Sequence, residues 1–233
     1  MDEKEEIARL KEELRAATRA REVLLASVAH DLRNPLNTFA MSSGLLRDDI
    51  EREDIDPTRA LALITRMDRA AQRMQHLIED LLEGSRLEAK RIELAPKPER
   101  AGQILRETQT ATKALATEKS ATVVLGAIDE DITLEVDRVR LVQALSRLVA
   151  FAMKAIGEGG VIQLSAQALE HVIELNVKAI PPGGGAANAT HDEGRGGLAL
   201  LIGRGLVEAH GGSIRFASSA EGPQILVTLP KKS

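Results

Sequence analysis

The sequence predicts an α chain followed by an α/β chain. An antiparallel helical hairpin, paired with a second copy as a dimeric four-helix bundle, leads into an α/β sandwich. Three observations carry this. Apolar residues recur at helical spacing over most of the first 90 residues, broken by one turn. Short strand-like runs then alternate with helical ones after Pro96 and Pro98. Aromatics are nearly absent, with three Phe and no Tyr or Trp, so the interior must be aliphatic.

In order, residues 1–22 form a charge-rich coiled-coil linker with Ile7, Leu10, Leu14 and Ala17 at heptad spacing. No breaker separates this stretch from the next, so one helix is expected from about 4 to 50. Its continuation carries Leu25, Val28, Leu32, Leu36 and Phe39 as an apolar stripe. Asp56 and Pro57 provide an N-cap and first helical residue for a second helix from about 57 to 90. Its stripe is Ala60, Ile64, Met67, Ala71, Met74, Ile78 and Leu81. Two such faces are too broad to bury within one chain, so a homodimer is expected. The hairpin domain covers 23–92 and the α/β domain 93–233.

Within the second domain a helix is expected over 99–118, strands over Thr122–Leu125 and Ile132–Val136, and a helix over 138–156 capped by Asp137. A Gly turn at 158–160 joins Val161–Ala168 to His171–Val177. A loop over 181–196 precedes a helix over 197–210, and Ile214–Ala217 and Ile225–Leu229 are the last strands.

The candidate site is His30, Asp31 and Asn34. His30 lies roughly 200° round the helix from Val28, so its imidazole points away from the stripe. An acid follows directly, an amide sits one turn on, and Pro35 removes a backbone donor beside them. Imidazole is a nucleophile; Asp31 can hold its tautomer or take its proton, and Asn34 can orient water or phosphate oxygens. A lone surface histidine is ordinarily a solvated polar residue, and His76 is read that way.

What favours chemistry at His30 is a resemblance. His-Asp-Leu-Arg-Asn-Pro-Leu over 30–36 resembles the phosphoacceptor box of sensor histidine kinases, and the likeness runs from about Glu12 to Pro230. Asp137-x-x-Arg140-Leu141-x-Gln143-x-Leu145 and Leu206-Val-Glu-Ala-His-Gly-Gly212-x-Ile214 are similar to segments of the family's ATP-binding domain. The resemblance implies an α/β sandwich of the histidine kinase ATPase type, a response-regulator receiver domain as partner, and an upstream sensor domain.

The nucleotide motifs depart from the family. Its Asn-Leu-x-x-Asn-Ala-x-Lys, whose Asn holds Mg²⁺, falls on Arg147 to Lys154, with Arg147 and Phe151 at the two Asn positions. No Asn occurs between Asn37 and Asn176, so a one-residue slip restores nothing. A phenyl ring cannot ligate a cation that takes oxygen donors. The family's adenine-binding Asp-x-Gly falls on Ala179-Ile180-Pro181, and its glycine motif keeps one of three glycines in the run containing Gly196 and Gly197. A charge-assisted hydrogen bond to a buried ligand is worth about 1.5–3 kcal/mol, and several such groups are replaced. No cofactor is therefore expected; ATP and Mg²⁺ belong only to the alternative below. His191, Asp192 and Glu193 on the loop are read as solvated, and no metal site is assigned.

Composition sets further bounds. With no Cys there is neither a disulfide framework nor a Cys-ligated metal. A net charge of −4 gives no basic footprint for nucleic acid. No run of 18 apolar residues exists and the N-terminus is acidic, so a cytoplasmic protein without a membrane span is expected. The reading is a histidine phosphotransferase or pseudokinase that exchanges phosphoryl groups with regulator aspartates and can dephosphorylate them. The alternatives are an ATP-dependent sensor kinase with an unorthodox or ablated nucleotide site, and a non-catalytic dimeric scaffold.

Overall fold

The structure is a computed structural model that describes residues 3–88, 93–129, 131–156, 158–183 and 197–231. The chain divides into two compact units, Met1–Leu82 and Glu83–Ser233.

The first unit is a helical hairpin. Helix α1 runs unbroken over Glu3–Glu51, with Pro35 inside it, and α2 covers Pro57–Glu88. No break in α1 marks the passage from the linker at residue 22. The turn is made by backbone closure. Asp54 N–H reaches Asp49 O and Glu53 N–H reaches Ile50 O, with Glu53 at φ 55°. This pair of bonds around a left-handed residue satisfies the last carbonyls of α1. Asp56 then caps α2, its Oδ1 accepting from Thr58 N–H at 2.9 Å. Arg59 pairs with Asp49 across the turn at 3.1 Å.

The seam between the helices differs from the expected stripes. Among the described side chains of α1 the buried positions are Val28, Pro35 and Ser42, a strict heptad, while Leu36 and Phe39 are left exposed. On α2 Leu63 and Ala70 are buried, Met67 and Met74 are half-buried, and Ile64, Ala71, Ile78 and Leu81 are exposed. The physical reason is width. A two-helix seam covers one narrow stripe of each helix, and the neighbouring apolar faces remain uncovered within one hairpin.

The second unit holds a two-stranded and a five-stranded sheet. Strand β1 (Lys97–Arg100) pairs antiparallel with β3 (Thr133–Val136). The large sheet has the order β2 (Thr122–Ile128), β4 (Val161–Ala168), β5 (Val172–Ile180), β7 (Gly222–Pro230), β6 (Ser213–Ser219). Only the β2–β4 pair is parallel. Helices α3 (Ala101–Glu118), α4 (Arg138–Ile156) and α5 (Gly197–Ala209) pack together over its apolar face. That face reads across the register as Leu125, Leu164, Val177, Ile225 and Phe216. The opposite face carries Gln163, Lys178 and Gln224 in one row and Gln167, Glu174 and Thr228 in another. Core and solvent faces therefore alternate with the period of two that strands impose.

Strand β1 corrects the sequence reading. Pro96 and Pro98 mark a boundary but do not prevent pairing, because a two-stranded ribbon leaves each strand one free edge for the missing N–H.

Asp137 and His210 join three segments of this unit. Asp137 Oδ2 accepts from Ala95 N–H at 3.2 Å and Oδ1 from Arg140 N–H at 3.2 Å. Its own N–H donates to His210 Nε2 at 3.1 Å, while the other ring nitrogen lies 2.7 Å from Leu206 O at the end of α5. His210 is thus a fastening between α5 and the entry to α4. Burial pushes the Asp137 carboxyl up, but the Ala95 and Arg140 N–H bonds and nearby positive charge hold it below its usual range. A carboxyl depressed in the folded state adds stability that is full above its unfolded pKa and disappears as pH falls through the folded one. Acid titration followed by circular dichroism should therefore show Asp137→Asn losing part of the unfolding transition below about pH 4. An unchanged acid limb would contradict this.

Candidate functional site

His30 sits on an exposed turn of α1, on the side away from the Val28–Pro35–Ser42 seam. Asn34 follows one turn later and also faces solvent; its amide nitrogen lies 3.4 Å from His30 Nε2. The helix places this pair without tertiary help, because residues four apart share a face. In the tautomer with its proton on Nδ1, Nε2 accepts from this amide and carries the lone pair. Asp31 is half-buried, one step round the helix. Pro35 is buried and gives α1 no N–H at this turn, so the Asp31 carbonyl loses its helical partner. Thr38 Oγ1 donates to Asn34 O at 3.1 Å, the back-bond to the preceding turn that threonines make on helices. The arrangement presents a nucleophilic nitrogen, a polar amide and an acid on a rigid, accessible helix face.

His76 is exposed on α2, as expected of a flank residue, and His171 lies beside Glu170 at the β4–β5 turn. His191, Asp192, Glu193 and Gly196 fall outside the described residues. Gly197 opens α5 with φ 55°.

In the second unit the departures from the nucleotide motifs have structural counterparts. Phe151, on α4, meets Phe216 of β6 edge-on, with ring centroids 5.9 Å apart and planes at 62°. Two of the chain's three phenylalanines are therefore spent on each other, and one of them, Phe151, is the residue that the resemblance aligns with a metal-binding Asn. Such pairs are worth about 0.5–1.5 kcal/mol beyond their burial. Sequence reasoning did not find this pair; the scarcity of aromatics was the available signal. Ala179 is 2% exposed and lies opposite Ile162 on the helix-facing side of the sheet. Beside it, Gly222 approaches so closely that an added Cβ would lie 2.0 Å from Ala179 O and 3.1 Å from Pro181 Cδ. The Asp-x-Gly position is packed with hydrocarbon and backbone. Among the described residues no group of three or more His, Asp and Glu could hold a metal ion.

A helical hairpin with this exposed His-Asp-Leu-Arg-Asn-Pro-Leu turn, joined to a five-stranded sheet under three helices, defines a class. Residues 20–90 match the His Kinase A (phospho-acceptor) domain, and the chain as a whole is similar to sensor histidine kinases. It is 27% identical over 233 residues to the sensor histidine kinase GacS of Pseudomonas protegens, covering 91% of this chain and 25% of that protein. Among solved structures it resembles Acinetobacter baumannii histidine kinase AdeS, with TM-score 0.60 and 17% identity over 88% of this chain and 98% of that one. It also resembles histidine kinase ThkA, solved in complex with response regulator protein TrrA, with TM-score 0.64 and 20% identity over 97% of this chain and 67% of that one. The chain spans 25–45% of the length of the curated relatives it matches. No helix among the described residues is long and apolar enough to cross a membrane.

Proposed function

We propose that the chain is a phosphoryl-exchanging pseudokinase: His30 accepts a phosphoryl group from a response-regulator aspartate and returns it, and the second unit does not bind ATP productively. The observation that carries the reading is the contrast between the two units. The acceptor turn keeps every group the chemistry needs, whereas Phe151, Ala179 and Pro181 replace the groups that would hold Mg²⁺ and adenine.

In the transfer, the His30 Nε2 lone pair forms a bond to phosphorus as the P–O bond to the regulator carboxylate breaks. The carboxylate leaves with the electron pair, and the imidazolium proton passes to Asp31 or water. Asn34 lies beside the attacking nitrogen, where its amide can hold a phosphoryl oxygen or, in hydrolysis of the regulator's acyl phosphate to inorganic phosphate, orient the attacking water. Neither step needs ATP. The ThkA–TrrA complex supports a receiver domain as partner, since a related fold is joined there to a response regulator.

The test is a panel of purified receiver domains charged on their aspartates with acetyl phosphate and mixed with the chain. Label that moves to this protein and survives alkali supports phosphohistidine; none from any receiver contradicts the reading. The competing sensor-kinase reading requires autophosphorylation by Mg-ATP.

The exposed faces of the hairpin support a homodimer. Ile78 is 51% exposed and Leu36 54%, and they belong to the apolar stripes that one hairpin leaves uncovered. A four-helix bundle would bury both. Ile78→Arg is expected to yield monomer by light scattering at micromolar concentration, from a dimeric parent. A parent that is monomeric there contradicts the pairing.

A further inference from the structure

We propose that Arg66, Arg69 and Arg73 of α2 select the receiver partner by charge. With Met41 and Leu45 of α1 they form a docking strip beside His30 for a receiver whose face around its phosphorylated aspartate is acidic. The proposal rests on reading His30 as the acceptor of a regulator's phosphoryl group.

The strip follows from the seam columns of the hairpin. On α2 the buried Leu63 and Ala70 and the half-buried Leu77 stand seven residues apart. At about 100° per residue, Ile64, Ala71 and Ile78 lie one step past that column, on one side of the seam. Arg66, Arg69 and Arg73 lie three or six steps past it, which is the other side. On α1 the column is Val28, Pro35 and Ser42. The same count puts Leu36 one step past it, and Asn34, Met41 and Leu45 three or six. His30 adjoins Asn34, ring nitrogen to amide, at 3.4 Å.

Equal steps from the seams of two antiparallel helices fall on the same side of a hairpin. One side therefore carries the apolar faces left for pairing, and the other carries His30, Met41, Leu45 and the three arginines. Arg59 stands in the same heptad column as Arg66 and Arg73, and it reaches Asp49 of α1 at 3.1 Å. Met41 is 70% exposed and Leu45 41%, on the side opposite the pairing stripes. A hydrocarbon patch placed there is not explained by the dimer.

Charge on this side is of one sign between the acceptor turn and the tip. No charged residue occurs over 34–46 of α1. Asp68, the one acid over 60–78 of α2, stands five steps past the seam column, toward the back of the helix. All three arginines are exposed. An apolar centre bordered by arginine is the composition that protein interfaces favour. Counting out from the Asp49–Arg59 pair along both helices places Arg73 level with Pro35 and Arg66 with Ser42. These are about 8 and 18 Å along the axis from His30, a reach that a partner burying about 800 Å² of its own surface spans. A phosphoryl group brings about 1.5–2 negative charges at neutral pH. Acidic residues around it are drawn to the strip, and basic ones are repelled.

The experiment measures phosphoryl transfer from the charged receivers of the panel to the full chain, over a range of receiver concentrations. In the Arg66→Glu/Arg69→Glu variant the half-saturating concentration is expected to rise about tenfold, with the rate at saturation falling less than about twofold. Arg66→Gln/Arg69→Gln should show about a threefold rise. Raising ionic strength from about 50 to about 300 mM should weaken the parent several-fold and the reversed variant little. Arg47→Glu, an exposed reversal off the strip, should match the parent. Circular dichroism checks that each variant is folded. A half-saturating concentration within about twofold of the parent in the reversed variant overturns the proposal. So does a loss confined to the rate at saturation. Parent that binds phosphatidylglycerol vesicles through these arginines, with transfer unaffected by their reversal, would assign the strip to lipid headgroups instead. Potassium phosphoramidate, which donates its phosphoryl group to an imidazole with loss of ammonia, tests His30 without a receiver. If it leaves no label there, the acceptor reading fails, while calorimetric titration with receiver still decides whether the arginines hold a partner.

Discussion

His30→Gln is expected to abolish every trace of alkali-stable phosphoryl label while leaving the hairpin folded. Glutamine keeps similar length and polarity on an exposed helix face, so the cost in stability stays within about 0.5 kcal/mol. It has no lone-pair nitrogen able to attack phosphorus, so the loss of label is complete rather than graded. Geometry selects this histidine over the others described. His210 is held through both ring nitrogens by Asp137 N–H and Leu206 O. His76 is exposed on α2 and His171 lies beside Glu170, whereas the Asn34 amide nitrogen lies 3.4 Å from His30 Nε2. Label measured by autoradiography after alkaline treatment decides it, and label that persists in the variant would place the acceptor elsewhere.

The second large effect is expected at Phe151. Restoring the family residue with Phe151→Asn removes the edge-on partner of Phe216 and inserts an amide between α4 and β6. Large-to-small replacement of a buried ring costs about 3–5 kcal/mol, and Phe151 is half-buried, so about 3 kcal/mol is expected. For a unit of this size that lowers the melting temperature by roughly 6–12 °C in calorimetry. Addition of Mg-ATP should recover none of this, because Ala179 offers no acceptor to a base. A variant that melts like the parent would show that the ring pair carries no load; one that ATP stabilises would show a site needing only its Asn back.

Much of the fold was legible because it rests on local rules. The continuous α1, the Asp56–Pro57 start of α2 and the Asp137 cap follow from periodicity and capping, and all appear within one or two residues. What escaped depends on partners far away in sequence. Strand β1 exists because β3 lies beside it, and Pro96 and Pro98, one just before the strand and one inside it, gave no sign of that. The expected stripe of Leu25, Val28, Leu32, Leu36 and Phe39 shares Val28 with the buried Val28–Pro35–Ser42 heptad, but one hairpin leaves Leu36 and Phe39 exposed. A single helix cannot reveal which of two adjacent apolar faces meets its own chain. The site was legible in a different way. His30 and Asn34 are brought together by the helix alone, so their spacing sufficed, whereas the Phe151–Phe216 pair spans the second unit and required the fold.

If the acceptor chemistry has outlived the nucleotide site, calorimetric titration of the full chain with Mg-ATP will show it. Replacement of the metal ligand, the adenine acceptor and the adjoining glycine, each worth about 1.5–3 kcal/mol where charge-assisted, should push binding weaker than about 1 mM. No saturable heat is therefore expected at submillimolar nucleotide. A dissociation constant in the micromolar range would contradict the pseudokinase reading and make the chain an ATP-dependent kinase with an unorthodox site.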